Sequence, residues 1–161
     1  MLQKTFAAVG LAAAALAATA APAATAPAGC GGTGWGAIVN VGDQLKVGLA
    51  SSDLTSPTAA VMGGYTAYGW VLTAGSWYTV SACGHSGPQL GEQPGYTSGS
   101  LVELATGYGD STAWNVVSAG SGASYIKDYL GQNCLTDNGS GRQLTFTTCA
   151  PGSPAQEWRL P

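Results

Sequence analysis

Beyond residue 30 the apolar positions alternate with polar ones or gather in short runs bounded by Gly, Ser, Asn, Asp and Pro. Ala37-Ile38-Val39-Asn40-Val41, Trp77-Tyr78-Thr79-Val80-Ser81 and Leu144-Thr145-Phe146-Thr147-Thr148 are examples, and a two-residue period of this kind predicts strands. No stretch there keeps an apolar i, i+3, i+4, i+7 stripe over three turns. The chain also carries 25 glycines, each of which would cost a helix about 1 kcal/mol relative to Ala. The predicted domain is all-β.

The pattern repeats. Trp70, Trp114 and Trp158 stand 44 residues apart, each opening a short extended segment, and Leu45, Leu90 and Leu135 stand 45 apart, each after a polar or glycine-containing turn. Two registers of similar period point to three copies of one unit, over about 30–73, 74–117 and 118–161. About four strands per unit predict about twelve in all, closing around a pseudo-threefold axis with the three tryptophans at its centre. These six residues are the predicted core. An indole buried there removes ~200 Å² from water, a gross gain of about 5 kcal/mol.

The first thirty residues follow another rule. Lys4 precedes the small-apolar run Phe6 to Ala18, and Ala18-Thr19-Ala20 fits the small-x-small rule for signal peptidase. Residues 1–20 are therefore expected to be a cleaved secretory leader and 21–29 a flexible Pro/Ala lead-in, with cleavage after Ala28 also allowed; a domain over 30–161 remains. A run of this length is too short to cross a hydrocarbon core of ~30 Å, so a secreted, soluble, monomeric protein is expected. Charge narrows the partners. Only 8% of the side chains are charged, the formal net charge is -3, and Lys46, Lys127, Arg142 and Arg159 are the cations beyond residue 30. Nucleic acid and anionic membrane surfaces are poor partners for such a chain.

Export makes disulfides the expected state of the four cysteines. Four cysteines allow three pairings. Cys134 and Cys149 flank a polar, turn-rich segment and are expected to face each other across it, leaving Cys30 with Cys83. Neither a metal nor another cofactor is expected, because there is no C-x-x-C spacing and His85 is the only histidine.

Cys134-Leu135-Thr136-Asp137, then Leu144-Thr145-Phe146-Thr147-Thr148-Cys149, then Gln156-Glu157-Trp158 resembles a ricin B-type lectin repeat. The resemblance is specific from about residue 125 onward; the first two units keep the tryptophan but have Tyr68 and Thr112 in place of the glutamine. It implies a β-trefoil, a six-stranded barrel capped by three hairpins, and a glycan or polysaccharide as partner. In that family a carboxylate and an amide bind sugar hydroxyls while an aromatic ring stacks on the sugar's apolar face. Carried over, the acid positions are Lys46, Gly91 and Thr136, and the third unit has Thr147 as platform and Ala155 before Gln156. The family pocket is thus degraded. Glu92 and Asp137 sit one place later, where strand alternation turns a side chain to the other face.

The ligand-binding residues expected are Asp137, Asn138, Gln143, Phe146 and Gln156, with Tyr96, Tyr108 and Asp110 as a counterpart in the second unit. Enzyme chemistry is not expected: His85 has no G-x-S-x-G partner, and no carboxylate pair falls in a recognisable motif. Two alternatives stand beside the lectin reading. One is a proteinase inhibitor presenting Arg142 from the loop between Cys134 and Cys149; the other is a non-binding interaction scaffold.

Overall fold

The computed structural model describes residues 35–53, 57–65, 69–73, 75–80, 89–105 and 112–161. The expected leader and lead-in, Cys30, Cys83, His85, Tyr108 and Asp110 lie outside the described residues. The first unit contains β1 (Trp35–Gly36), β2 (Val39–Asn40), β3 (Val47–Leu49), β4 (Thr58–Met62) and β5 (Gly69–Thr73). The second contains β6 (Ser76–Val80), β7 (Gln89–Glu92), β8 (Ser100–Ala105) and β9 (Asn115–Gly120). The third contains β10 (Ala123–Lys127), β11 (Asn133–Thr136), β12 (Thr145–Thr148) and β13 (Trp158–Arg159), with a 3₁₀ turn over Pro154–Gln156 before β13. Because β1 and β2 are one strand position interrupted at Ala37-Ile38, thirteen strands among the described residues fill twelve positions.

The pairings recur from unit to unit. The two middle strands form a hairpin each time, with Val47 opposite Met62, Leu90 opposite Leu104 and Leu135 opposite Phe146. These hairpins join one another: β4 pairs β8, β8 pairs β12, and the third contact is made by the Val61–Gln143 bridge and the Leu144 N–H bond to Ala60 O at 2.8 Å. The outer strands close a ring, β1 with β5, β5 with β6, β9 with β10, β10 with β13 and β13 with β2. Among the described residues the remaining link is the bond from Trp114 N–H to Gly75 O at 2.6 Å. Gly75 has φ +81°, which a side chain would resist, and a Cβ there would lie 3.2 Å from Trp114 O. A ring of six strand positions under three joined hairpins is a β-trefoil.

Two details depart from the sequence expectation. Strand β9 continues to Gly120 and turns into β10 through Ser121 and Gly122, both with positive φ, so the second unit ends there and not at 117. The leucine register also shifts in the first unit. First and second strand positions meet at Val39–Lys46, Tyr78–Gln89 and Lys127–Cys134, which makes Val47, Leu90 and Leu135 equivalent. The indole N–H of Trp70 bonds to Val47 O at 3.1 Å, as that of Trp158 bonds to Leu135 O at 3.0 Å. Leu45 falls two residues early, in a turn where its N–H bonds to Asp43 Oδ1 at 2.8 Å; it is half-buried and packs on the core from outside. With this register the first unit's counterpart of Gly91 and Thr136 is Gly48, not Lys46.

Trp70, Trp114 and Trp158 belong to one apolar core, together with Ile38, Val47, Leu49, Leu90, Leu104, Ile126, Leu135, Leu144 and Phe146. Cys134 and Cys149 form a disulfide with Cα atoms 4.9 Å apart. It ties the start of β11 to the chain just beyond β12, across the hairpin that the spacing predicted.

Candidate functional site

In the third unit, three positions that would build the family pocket are bonded to one another. Thr136 Oγ1 donates to Cys134 O at 2.8 Å and lies 2.7 Å from Thr147 Oγ1. Gln156 reaches both: its Nε2 lies 3.0 Å from Thr136 Oγ1, 2.9 Å from Thr147 Oγ1 and 3.1 Å from Thr148 O, while its Oε1 accepts from Ala150 N–H at 2.7 Å. Gln156 is 3% exposed. Its amide is fully engaged, so it acts as a brace between the 3₁₀ turn and the β11–β12 hairpin.

Phe146 is also inside. It is completely buried, and its ring meets that of Trp114 edge-on, with centroids 5.2 Å apart and planes at 77°. This corrects its assignment as a ligand-binding residue, since a side chain closed inside the core meets no ligand. Its Cβ points inward because it pairs with Leu135 on the core face of the hairpin, whereas Thr145 and Thr147 occupy the alternate face. Gln143 is half-buried and donates through Nε2 to Val102 O of the second unit at 2.9 Å, so it too works as a connector.

Asp137 and Asn138 remain at the surface. Asp137 anchors its backbone to Ala155 O at 2.9 Å, and its Oδ1 accepts from Gly139 N–H at 2.6 Å, an Asx turn that orders the loop. Asn138 is exposed; its Nδ2 donates to Gln143 O at 2.8 Å and Thr145 Oγ1 at 3.0 Å, leaving its carbonyl oxygen as an acceptor. A residue not anticipated completes the group. The carboxyl of Asp43, from the first unit, meets that of Asp137. Burial holds the Asp137 carboxyl above the ordinary carboxylate range; the Gly139 N–H offsets part of this, and the contact and charge of Asp43 add to it.

In the sequence Asp43 stands only in the turn before Leu45, and nothing local announces a partner in the last unit. The contact follows from ring closure, because the turn after β2 lies against the third unit. Asn40, fully buried, fixes it there: Nδ2 donates to Pro154 O at 3.1 Å and Glu157 O at 3.3 Å, while Oδ1 accepts from Gly42 N–H at 2.7 Å.

The second unit is built differently. Glu92 follows Leu90 by two residues on the same face of β7, and it is 1% exposed. Asp137, at the same register position in the third unit, lies just past the end of β11 and is only half-buried. Gly91 takes the outward position, and across the strand pair Gln93 Nε2 donates to Glu103 Oε2 at 2.9 Å. Tyr96 is half-buried in the following loop with φ 46°.

Arg142 is exposed, but its backbone is hydrogen-bonded on both sides. Met62 N–H bonds to Arg142 O at 3.2 Å, Arg142 N–H to Gly139 O at 3.1 Å, and Gly141 N–H to Met62 O at 2.9 Å. The loop is fastened onto β4. Among the described residues no group of three or more His, Cys, Asp or Glu could hold a metal ion.

The fold is shared with solved structures. A designed threefold-symmetric protein, ThreeFoil, matches with a TM-score of 0.65 at 19% identity, over 79% of this chain and 97% of that one. The ricin B-like lectin of Macrolepiota procera, solved in complex with lactose, matches with a TM-score of 0.58 at 18% identity, over 78% and 93%. SeviL, solved bound to asialo-GM1 saccharide, matches with a TM-score of 0.54 at 15% identity, over 79% and 95%. No family model matches the chain, and neither does any curated protein.

Proposed function

We propose that this chain is a secreted carbohydrate-binding module that binds without catalysis through a shallow polar cleft at the junction of its first and third units. One observation carries the reading: Asp43, Asp137 and Asn138 gather acceptor oxygens at the surface, while the three residues that would have lined the family pocket are spent on one another. Carboxylate and amide oxygens accept from sugar hydroxyls, and adjacent acceptors suit vicinal diols. Support of a coarser kind comes from the trefoil lectins sharing the fold, two of them solved with a bound sugar. The leader-like first segment and the Cys134–Cys149 disulfide agree with export.

The inhibitor alternative loses ground because a docked reactive-site carbonyl must enter a protease's oxyanion hole, whereas that of Arg142 is engaged by Met62.

A glycan and cell-wall polysaccharide array, followed by titration of the best hit, tests the proposal. Binding at millimolar affinity or better, reduced at least tenfold in Asp137→Ala and in Asp43→Ala but unchanged in Arg142→Ala, is the expected outcome. No retention on any glycan leaves the interaction-scaffold reading in its place. Asp137 is held above the usual carboxylate range, so binding through its ionised form is expected to fall off, as pH drops, earlier than an ordinary aspartate would allow.

A further inference from the structure

Glu92 takes no part in the cleft. Its side chain is 1% exposed, and among the described residues neither carboxyl oxygen has a hydrogen-bond partner. By strand register its counterparts are Leu49 in the first unit, fully buried, and Asp137 in the third, half-buried just past the end of β11, so the position takes an apolar side chain where it is closed off from solvent. Groups on two other elements bear on it. From β8, Val102 stands opposite in register, and the Ser100 hydroxyl, which donates to Thr97 O at 2.8 Å, lies close enough to favour the ionised carboxyl in part. From the turn after β10, in the third unit, comes the charge of Asp128. Asp128 is itself fully buried, and its carboxylate accepts from Gln132 N–H at 2.8 Å, Asn133 N–H at 3.2 Å and Asn133 Nδ2 at 2.8 Å.

The two acids are therefore unequal. Asp128 is held by three N–H groups, and Glu92 has only the partial help of the Ser100 hydroxyl. Ionised, Glu92 is a dry, under-compensated charge beside a second acid; protonated, it is a neutral group in an apolar position. We propose that Glu92 is a proton-operated latch on the seam between the second and third units, closed while the carboxyl keeps its proton and loosened when neutral or alkaline surroundings remove it. Burial pushes this carboxyl up from 4.5 to about 7, with the Ser100 hydroxyl offsetting part of the rise and the charge of Asp128 adding to it. A value raised by folding means that the protonated form is preferred in the native state. The stabilisation is complete below about 4.5 and is lost as pH climbs through about 7.

Thermal and denaturant unfolding of the disulfide-intact protein between pH 5 and pH 8, with hydrogen exchange at Val102, Gln132 and Asn133, tests the latch. The unfolding constant is expected to rise on the order of 50-fold across that range, with faster exchange at the seam than at Trp158. Glu92→Leu, the side chain found at the equivalent place in the first unit, is expected to flatten the pH profile and raise the melting temperature at pH 8. Glu92→Gln, which cannot ionise, is expected to flatten it as well, whatever its absolute stability. A flat wild-type profile overturns the proposal, as does an equal fall in both variants. So does a calcium-dependent rise in melting temperature at pH 8 that Glu92→Leu abolishes, since it would make the seam a cation site.

Discussion

The segments leading into Trp158 and Trp114 occupy the same place in successive units, yet different residues serve them. Before Trp158, Gln156 ties the 3₁₀ turn to Thr136, Thr147, Thr148 and Ala150, and the hairpin it braces is cross-linked by Cys134 and Cys149. Before Trp114 the corresponding residue is Thr112, buried but too short to span such a distance, and Gln89 stands where the third unit has Cys134. Both tryptophans are nevertheless buried in one core. The difference separates two kinds of constraint. Apolar residues at the common centre are shared by all units, so none can shrink without leaving a cavity; the polar turn outside it answers mainly to its own unit and is free to change.

The comparison breaks first if the tryptophans are not interchangeable in importance. Trp158→Ala is expected to cost about 3–5 kcal/mol, since it empties a fully buried site and leaves Leu135 O without its indole partner. Trp114→Ala is expected in the same range through its edge-on contact with Phe146. Denaturant unfolding reads both. A Trp114→Ala protein with an unchanged melting temperature would remove the second indole from the shared core.

A smaller effect separates the third unit from the others. The bridged cysteines are 15 residues apart, and the double variant Cys134→Ala/Cys149→Ala is expected to lose about 3 kcal/mol on the chain-entropy estimate. A loss under about 1 kcal/mol, measured by urea unfolding, would mean that the Gln156 brace already supplies what the cross-link adds.

The sequence carried the fold further than the site, for a physical reason visible in particular residues. The 44-residue tryptophan period and the two-residue alternation are imposed by the core, and the core is common to the three units. Leu45 shows where even this signal slips: it matched by spacing, but the strand pairing gives the position to Val47, because the intervals between equivalent residues are not equal. Phe146 shows the limit for the site. An aromatic near a sugar motif reads as ligand-binding until its pairing with Leu135 fixes which face it takes. Asp43 shows the other limit, since its contact with Asp137 exists only once the first and last units are brought together. Glu92 lies between these cases: alternation puts it on the face of Leu90, but its closure from solvent beside Asp128 depends on what the third unit sets there.

The finest distinction concerns the brace itself. Gln156→Ala removes one buried amide and leaves Ala150 N–H, Thr147 Oγ1 and Thr148 O short of a partner, for an expected loss of about 2 kcal/mol. Thr112→Ala, at the equivalent place, is expected to lose less, since a threonine hydroxyl serves fewer groups than a carboxamide. A double-mutant cycle makes the contrast specific. Gln156→Ala combined with Thr147→Val is expected to be non-additive by at least about 0.5 kcal/mol, because the two side chains share one hydrogen bond and one neighbour in Thr136. Thr112→Ala combined with the same Thr147→Val is expected to add. Additivity in both cycles would mean that Gln156 stabilises the tryptophan turn through Ala150 alone, and the polar hub would then be free to be rebuilt as a sugar pocket without loss to the fold.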